Sequence, residues 1–159
     1  YYGTETHSEC RKLAGMEVRP PFWCNLTIMT GTAQAKSAIT FIRTVPILRI
    51  FSVEKAKEFY CDFLGFKVDW EHTFEPGMPV YMQVSRGDLR LHLSEHHGDG
   101  SPGVHVHVEM LGVDELHREV SSKGYKYLRP GVQDEFYGAR AMHVIDPFGN
   151  RISFNEFKQ

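Results

Sequence analysis

The clearest pattern in the chain lies at residues 104–109, where valine alternates with His105, His107 and Glu109. A period of two predicts a β-strand with one apolar and one polar face. The polar face then carries three side chains of types that bind metals or transfer protons. This strand is therefore the first candidate for a functional surface, and its role depends on what the fold places beside it.

The segment before this strand predicts one β-α-β-β-β module over residues 45–97. After a first apolar strand, Ser52 is a candidate N-cap, and apolar residues recur at helical spacing until Gly65 ends the helix. Three further strands are predicted at residues 66–74, 80–85 and 89–94, the last two joined by the turn Arg86-Gly-Asp88.

Residues 104–157 repeat this plan. Val53 and Val113 begin the two predicted helices and lie 60 residues apart, while Gly65 and Gly124, which end these helices, lie 59 apart. A near-constant spacing with the same order of elements indicates two copies of one module. The second copy has predicted strands at residues 104–110, 125–128, 139–145 and 151–157, a loop at 129–138, and the turn Asp146-Pro-Phe-Gly-Asn150.

Each helix covers only one face of its sheet, so the two sheets can enclose a cleft between their other faces. The repeat makes Arg49 equivalent to Glu109, so an ion pair between them across the cleft is a further hypothesis. The polar positions that the alternation assigns to this cleft are Arg90, His92, Ser94, His105, His107 and Glu109.

Composition narrows the classes of partner. The chain has 159 residues, a formal net charge of −2 and no basic block, so it lacks the lysine and arginine cluster typical of nucleic-acid binding. No apolar run approaches the ~20 residues that span a bilayer. Three cysteines without metal-binding spacing favour a reducing cytoplasm. Residues 1–44 show no clear period and are interpreted as an N-terminal extension that docks through Phe22 and Trp23.

The paired modules resemble the glyoxalase, bleomycin-resistance and extradiol-dioxygenase superfamily over residues 45–157. The sequence Phe63-Leu-Gly-Phe66 after the first helix and the turn Asp146-Pro-Phe-Gly-Asn150 carry this resemblance. It implies an α+β fold in which two βαβββ modules form a curved mixed sheet around a cleft. Four segments are similar to the bleomycin-resistance branch, namely residues 46–49, 69–72, 91–99 and 123–125.

The resemblance also implies four metal-ligand positions, which here correspond to Val45, His92, His105 and Ser153. Catalytic zinc takes at least three protein ligands, and non-haem iron takes two histidines and a carboxylate. Only the two histidines suit a divalent metal, so we expect no cofactor. If a metal such as Zn, Ni, Mn or Fe is present, His92 and His105 are its expected ligands.

Bleomycin-binding relatives stack the flat heterocycles of the drug between aromatic walls, and the resemblance implies that Trp70, Phe74 and Tyr137 supply them here. The favoured interpretation is a noncatalytic homodimer that sequesters a bleomycin-type antibiotic without modifying it. A metal-dependent lyase, isomerase or dioxygenase of the same fold is the alternative, and a binding module for another small aromatic molecule is a third. The expected ligand-binding residues are Arg49, Trp70, Phe74, Arg90, His92, His105, His107, Glu109 and Tyr137.

Overall fold

The computed structural model describes residues 39–158. By their contacts, the described residues from Ile42 onward belong to one compact unit. Phe22 and Trp23 lie outside the described residues, and the boundary of the extension at residue 44 stays a prediction. Within the described range, no helix is both long enough and apolar enough to cross a membrane.

The first module forms sheet A, a four-stranded mixed sheet in the order β1-β4-β3-β2. Strand β1 runs parallel to β4, and the other pairs are antiparallel. The elements are β1 (Ile47–Arg49), α1 (Val53–Lys57), a π-helical turn (Glu58–Phe63), β2 (Lys67–His72), β3 (Tyr81–Arg86) and β4 (Leu89–Ser94).

The second module forms sheet B in the equivalent order β5-β8-β7-β6, with β5 parallel to β8. The predicted α+β fold of two repeated βαβββ modules is therefore confirmed. Its elements are β5 (His105–Glu109), α2 (Val113–Ser122), β6 (Val132–Asp134), β7 (Ala139–Ile145) and β8 (Arg151–Phe157).

One strand was predicted at the wrong place. Residues 125–128 form turns and irregular structure, whereas Val132–Asp134, predicted as loop, forms β6 and pairs with β7. The Tyr125 ring instead stacks on Phe63, with 4.6 Å between the ring centroids. Tyr125 and Leu128 pack against the core without joining a sheet, while Lys126 and Tyr127 are exposed.

The first helix also departs from the prediction of a regular helix ending before Gly65. After Lys57 it widens into the π-helical turn, and the Leu64 amide donates to the Phe59 carbonyl five residues earlier. This turn buries Phe59, Tyr60 and Phe63 together. The predicted N-cap is present, because the Ser52 side chain accepts a hydrogen bond from the Lys55 amide.

Asp146 links the two modules at the centre of the molecule. Its buried carboxylate accepts hydrogen bonds from the Tyr60 hydroxyl at 2.8 Å, from the Phe148 and Asn150 amides at 2.9 and 2.7 Å, and from Asn150 Nδ2 at 2.8 Å. Asn150 Nδ2 also donates to the Arg49 carbonyl at 2.8 Å. Burial, followed by the adjacent carboxylate, raises the pKa of Tyr60 well above its usual value, so the phenol stays a donor.

Helix α2 begins without a side-chain cap of its own. Gly112 occupies the N-cap position with φ of 82°, a left-handed conformation that favours glycine. The amides of Gly112 and Val113 both donate to Glu156 Oε2 on β8, at 3.1 and 3.0 Å. A carboxylate from an inner strand of sheet B therefore accepts hydrogen bonds from the first amides of α2 and complements the helix dipole.

Candidate functional site

Sheet A presents an aromatic platform on its polar face. The Trp70 and Tyr81 rings stack with centroids 5.9 Å apart and planes 13° apart. The Tyr81 hydroxyl lies 2.8 Å from His92 Nδ1, and His92 Nε2 lies 3.0 Å from Gln83 Oε1. The hydrogen bonds fix the phenol ring, and the fixed ring supports the half-exposed indole of Trp70.

A β-bulge places Trp70 on this face. Val68 pairs with Val84, but Trp70 pairs with Gln83, so Asp69 is an extra residue on β2. Side chains alternate across a strand, so without the extra residue Trp70 would share the apolar face of Val68. The bulge is held by side chains, since the Asp69 carboxylate accepts hydrogen bonds from Gln83 and Ser85, both at 2.8 Å.

These hydrogen bonds lower the pKa of Asp69, first through Gln83 and then through Ser85. Asp69 therefore remains an ionised acceptor over a wide pH range.

Beside the platform lies an open recess of about 670 Å³. Phe74 stands at its edge, 74% exposed, with its ring 5.8 Å from that of His96. Asp99 supplies a carboxylate, which accepts a hydrogen bond from Ser94 Oγ at 2.6 Å. The lining residues are Trp70, His72, Phe74, Tyr81, His96, His97 and Asp99.

Sheet B carries a second polar cluster. His105 Nε2 lies 3.2 Å from Ser153 Oγ, and His107 Nδ1 lies 3.2 Å from Asn155 Nδ2. The Tyr137 hydroxyl donates to Asn155 Oδ1 at 2.9 Å, and its ring lies 6.5 Å from that of His107. Asn155 thus positions an imidazole and a phenol on the same face.

The polar residues expected in one cleft divide between the two sheets within a chain. His92 lies beside Trp70 on sheet A, while His105 and His107 lie on sheet B. The expected drug-stacking residues divide in the same way, with Trp70 and Phe74 on sheet A and Tyr137 beside His107 on sheet B. The apolar faces of both sheets pack into one core, so the two polar faces lie away from it, and no hydrogen bond or ring contact joins them among residues 39–158.

The predicted ion pair between Arg49 and Glu109 is likewise not formed in the described part of the chain. The Arg49 guanidinium instead lies 5.0 Å from the centroid of the Phe51 ring, and its Nη1 is 3.5 Å from the Ser94 carbonyl. Arg90 is exposed beside the bulge, where its charge helps to lower the pKa of Asp69. Arg49 and Glu109 occupy equivalent positions in the two modules, but they do not form a pair within one chain.

The side chains expected as metal ligands are not arranged to bind a catalytic metal. Both ring nitrogens of His92 are engaged, by Tyr81 and Gln83, while His105 is bonded to Ser153 on the other sheet. Across residues 39–158 there is no group of three or more His, Cys, Asp or Glu side chains that could hold a metal ion. Three protein ligands are the usual minimum for catalytic zinc, and the residues described here do not bring three together.

Sequence reasoning missed several residues of the sheet A cluster. Gln83, Asp69 and Asp99 were not proposed, although the period-two pattern of β3 does place Gln83 beside His92. Asp69 lies at a β-bulge and Asp99 lies in a loop, and the hydrophobic pattern indicates neither feature.

We expect His92 to make the stability of the protein depend on pH. Burial lowers the pKa of His92 below its usual 6.5, so the unfolded chain takes up this proton at a higher pH than the folded protein. Stability should therefore fall as the pH drops through 6.5 and level off below the lowered pKa. Urea unfolding from pH 8 to pH 5 should show a smaller fall for His92→Gln than for the wild type.

His97→Gln is the matched control for this experiment, because His97 is an exposed histidine in the turn that follows β4, the strand of His92. It should follow the wild-type profile. Parallel profiles for His92→Gln and the wild type would contradict the expectation.

The chain is similar to known proteins in both sequence and structure. The family described as "Glyoxalase superfamily protein" matches residues 29–159. The bleomycin resistance protein of Geobacillus stearothermophilus is 28% identical over 131 residues, which cover 71% of this chain and 95% of that protein.

Two solved structures illustrate the similarity. The bleomycin-binding protein of bleomycin-producing Streptomyces verticillus, complexed with copper(II)-bleomycin, is 29% identical, with a TM-score of 0.57 over 76% of this chain and 99% of that one. An antibiotic-binding protein from Streptomyces sp. CB03234 is 23% identical, with a TM-score of 0.56 over 76% of this chain and 100% of that one. At 23% identity, the second structure is evidence for the fold alone.

Proposed function

Because the chain belongs to the glyoxalase superfamily, we propose that it is a bleomycin-resistance-like protein, which binds a glycopeptide antibiotic without modifying it. The observation that carries this proposal is the Trp70–Tyr81 platform beside the open recess. A flat heterocycle stacked on such a platform gains ~0.5–1.5 kcal/mol beyond its buried area. Phe74 offers a second, exposed ring at the same recess.

Charge in the recess suits the cationic tail of such a drug. Asp99 is the carboxylate of the recess. Opposite charges steer association and set orientation more than they add affinity. The rings would therefore supply most of the binding energy, and this carboxylate would select cationic ligands. We place this activity in the cytoplasm, as the sparse cysteines suggest.

The complete drug site, in this proposal, needs two chains. Sheet A of one chain would face sheet B of the other and bring Trp70 and Phe74 near Tyr137. Phe136, beside Tyr137, is 98% exposed, and strands β1 and β5 are sheet edges in the described part of the molecule. Exposed aromatic surface and open sheet edges are typical of surfaces that bind a partner.

We therefore expect a homodimer in solution. Sedimentation equilibrium of the purified protein at micromolar concentration should give twice the 18.3 kDa mass of the chain. A monomer that still binds bleomycin would overturn the shared crevice and leave the binding function intact.

Calorimetric titration with bleomycin tests the function itself. We expect saturable binding, with the drug recovered chemically unchanged when its mass is measured after incubation. Metal analysis of protein purified without chelator should give well under one metal per chain. No measurable affinity for bleomycin or phleomycin would refute the antibiotic assignment. A chemically altered drug, or a stoichiometric metal with turnover, would establish the enzyme alternative.

A further inference from the structure

A second recess lies between the two modules, apart from the aromatic platform. It has a volume of about 550 Å³, within the ~300–1,000 Å³ typical of small-molecule sites. We call it the junction groove, and none of its lining residues also lines the recess beside Trp70. It is bounded by the turn between β3 and β4, by the end of β5 and by α2.

The floor of the junction groove is apolar and firmly packed. Leu64, Phe66, Leu116 and Phe154 contribute to it, and each of them is buried in the shared core. Leu111 differs from these residues, because 74% of its side chain is exposed at the opening. An apolar ligand on this floor would therefore also gain the exposed surface of Leu111.

The rim of the groove carries more acidic than basic side chains. Its lining includes four carboxylates, from Asp88, Glu109, Glu115 and Glu119, and one cation, Arg86. This cation is already neutralised, because Arg86 Nη2 lies 2.6 Å from Glu119 Oε2.

Two of the rim carboxylates have no cation of their own. Glu115 is paired with Arg118, and Glu119 with Arg86 and Lys123, whereas Asp88 and Glu109 form no ion pair with any residue in the described range 39–158. A bound cation would compensate these two charges.

We infer that the junction groove is a second ligand site, which binds an organic cation with an apolar body. The body would lie on the floor of Leu64, Phe66 and Phe154, and the protonated amine would lie near Asp88 and Glu109. An inorganic cation would gain no binding energy from the apolar floor, and an anion would be repelled by the carboxylates. The combination therefore selects amphipathic amines.

Dansylcadaverine is a suitable probe, because it joins a fluorescent aromatic body to a primary amine that is protonated at neutral pH. Its fluorescence should rise saturably as wild-type protein is added. Dansylamide, which is neutral, should bind more weakly, and dansylglycine, which is anionic, should bind least. Raising the salt to about 1 M should weaken only the cationic probe, since salt screens the rim charges.

The decisive variant is Asp88→Asn combined with Glu109→Gln, which removes two charges and keeps the side-chain sizes. It should weaken dansylcadaverine binding about tenfold, at about threefold for each exposed carboxylate, and leave dansylamide unchanged. Glu54→Gln, which removes an exposed carboxylate at the start of α1, is the matched control and should leave both affinities unchanged.

Other outcomes would overturn the assignment. Loss of dansylcadaverine binding in Trp70→Ala, with full binding in the double variant, would place the probe at the aromatic platform instead. Binding that appears only when the protein is diluted to monomers would show that a second copy covers the groove. Equal affinity for all three dansyl compounds would show apolar binding without selection for charge.

Discussion

Replacing Asp146 with alanine is expected to lower the free energy of unfolding by about 3–5 kcal/mol. The substitution removes a buried carboxylate that accepts four hydrogen bonds. It leaves the Tyr60 hydroxyl and the Asn150 amide buried without their acceptor, and an unsatisfied buried donor costs about 1–3 kcal/mol. Urea unfolding monitored by circular dichroism measures the difference.

Tyr60→Phe is the matched control for Asp146→Ala. It removes a single hydrogen bond of the same network and keeps the ring in the core, so it should cost only about 0.5–1.5 kcal/mol. A cost below 1 kcal/mol for Asp146→Ala would show that the link between the modules is not needed for stability.

Replacing Trp70 with alanine should raise the dissociation constant for bleomycin about 30-fold, which corresponds to about 2 kcal/mol. The indole is the outer ring of the stack with Tyr81 and is 41% exposed. Its loss would therefore remove ligand contact area while costing only about 1 kcal/mol of folding stability. Calorimetric titration and urea unfolding of the same preparation separate the two effects.

Tyr127→Ala tests whether the effect is specific, because Tyr127 is also exposed, at 61%, and does not line the Trp70 recess. It should leave bleomycin affinity unchanged. An equal loss of affinity in the two variants, or none in Trp70→Ala, would rule out the platform as the drug site.

The sequence predicted the parts of the fold that depend on local periodicity. Alternation in β4 and β5 correctly placed leucines in the core and His92, His105 and His107 on the polar faces, because a strand's pleat follows from the backbone alone. The spacing of the repeat predicted the order of elements. Neither the alternation nor the repeat spacing indicates how one module packs on the other. The sequence therefore could not show that the polar residues divide between two sheets.

The candidate site on sheet A depends on features that the hydrophobic pattern does not indicate. The bulge at Asp69 reverses the face of Trp70, and its cause is a set of side-chain hydrogen bonds from β3 rather than any turn residue in β2. The strand at Val132–Asp134 is short and mostly exposed, so composition gave little indication of it. Both were decided by partners distant in sequence, which a single sequence does not identify.

The position of β8 has a consequence for synthesis on the ribosome. Sheet A has all its strands once Ser94 has been made, whereas sheet B lacks the strand between β5 and β7 until Phe157 has been made. Helix α2 also lacks its capping carboxylate until Glu156 emerges. During translation the first module can therefore fold early, while the second exposes two unpaired strand edges to chaperones and to other nascent chains. A chain that is truncated before Phe157 would keep these edges exposed and would be prone to aggregation.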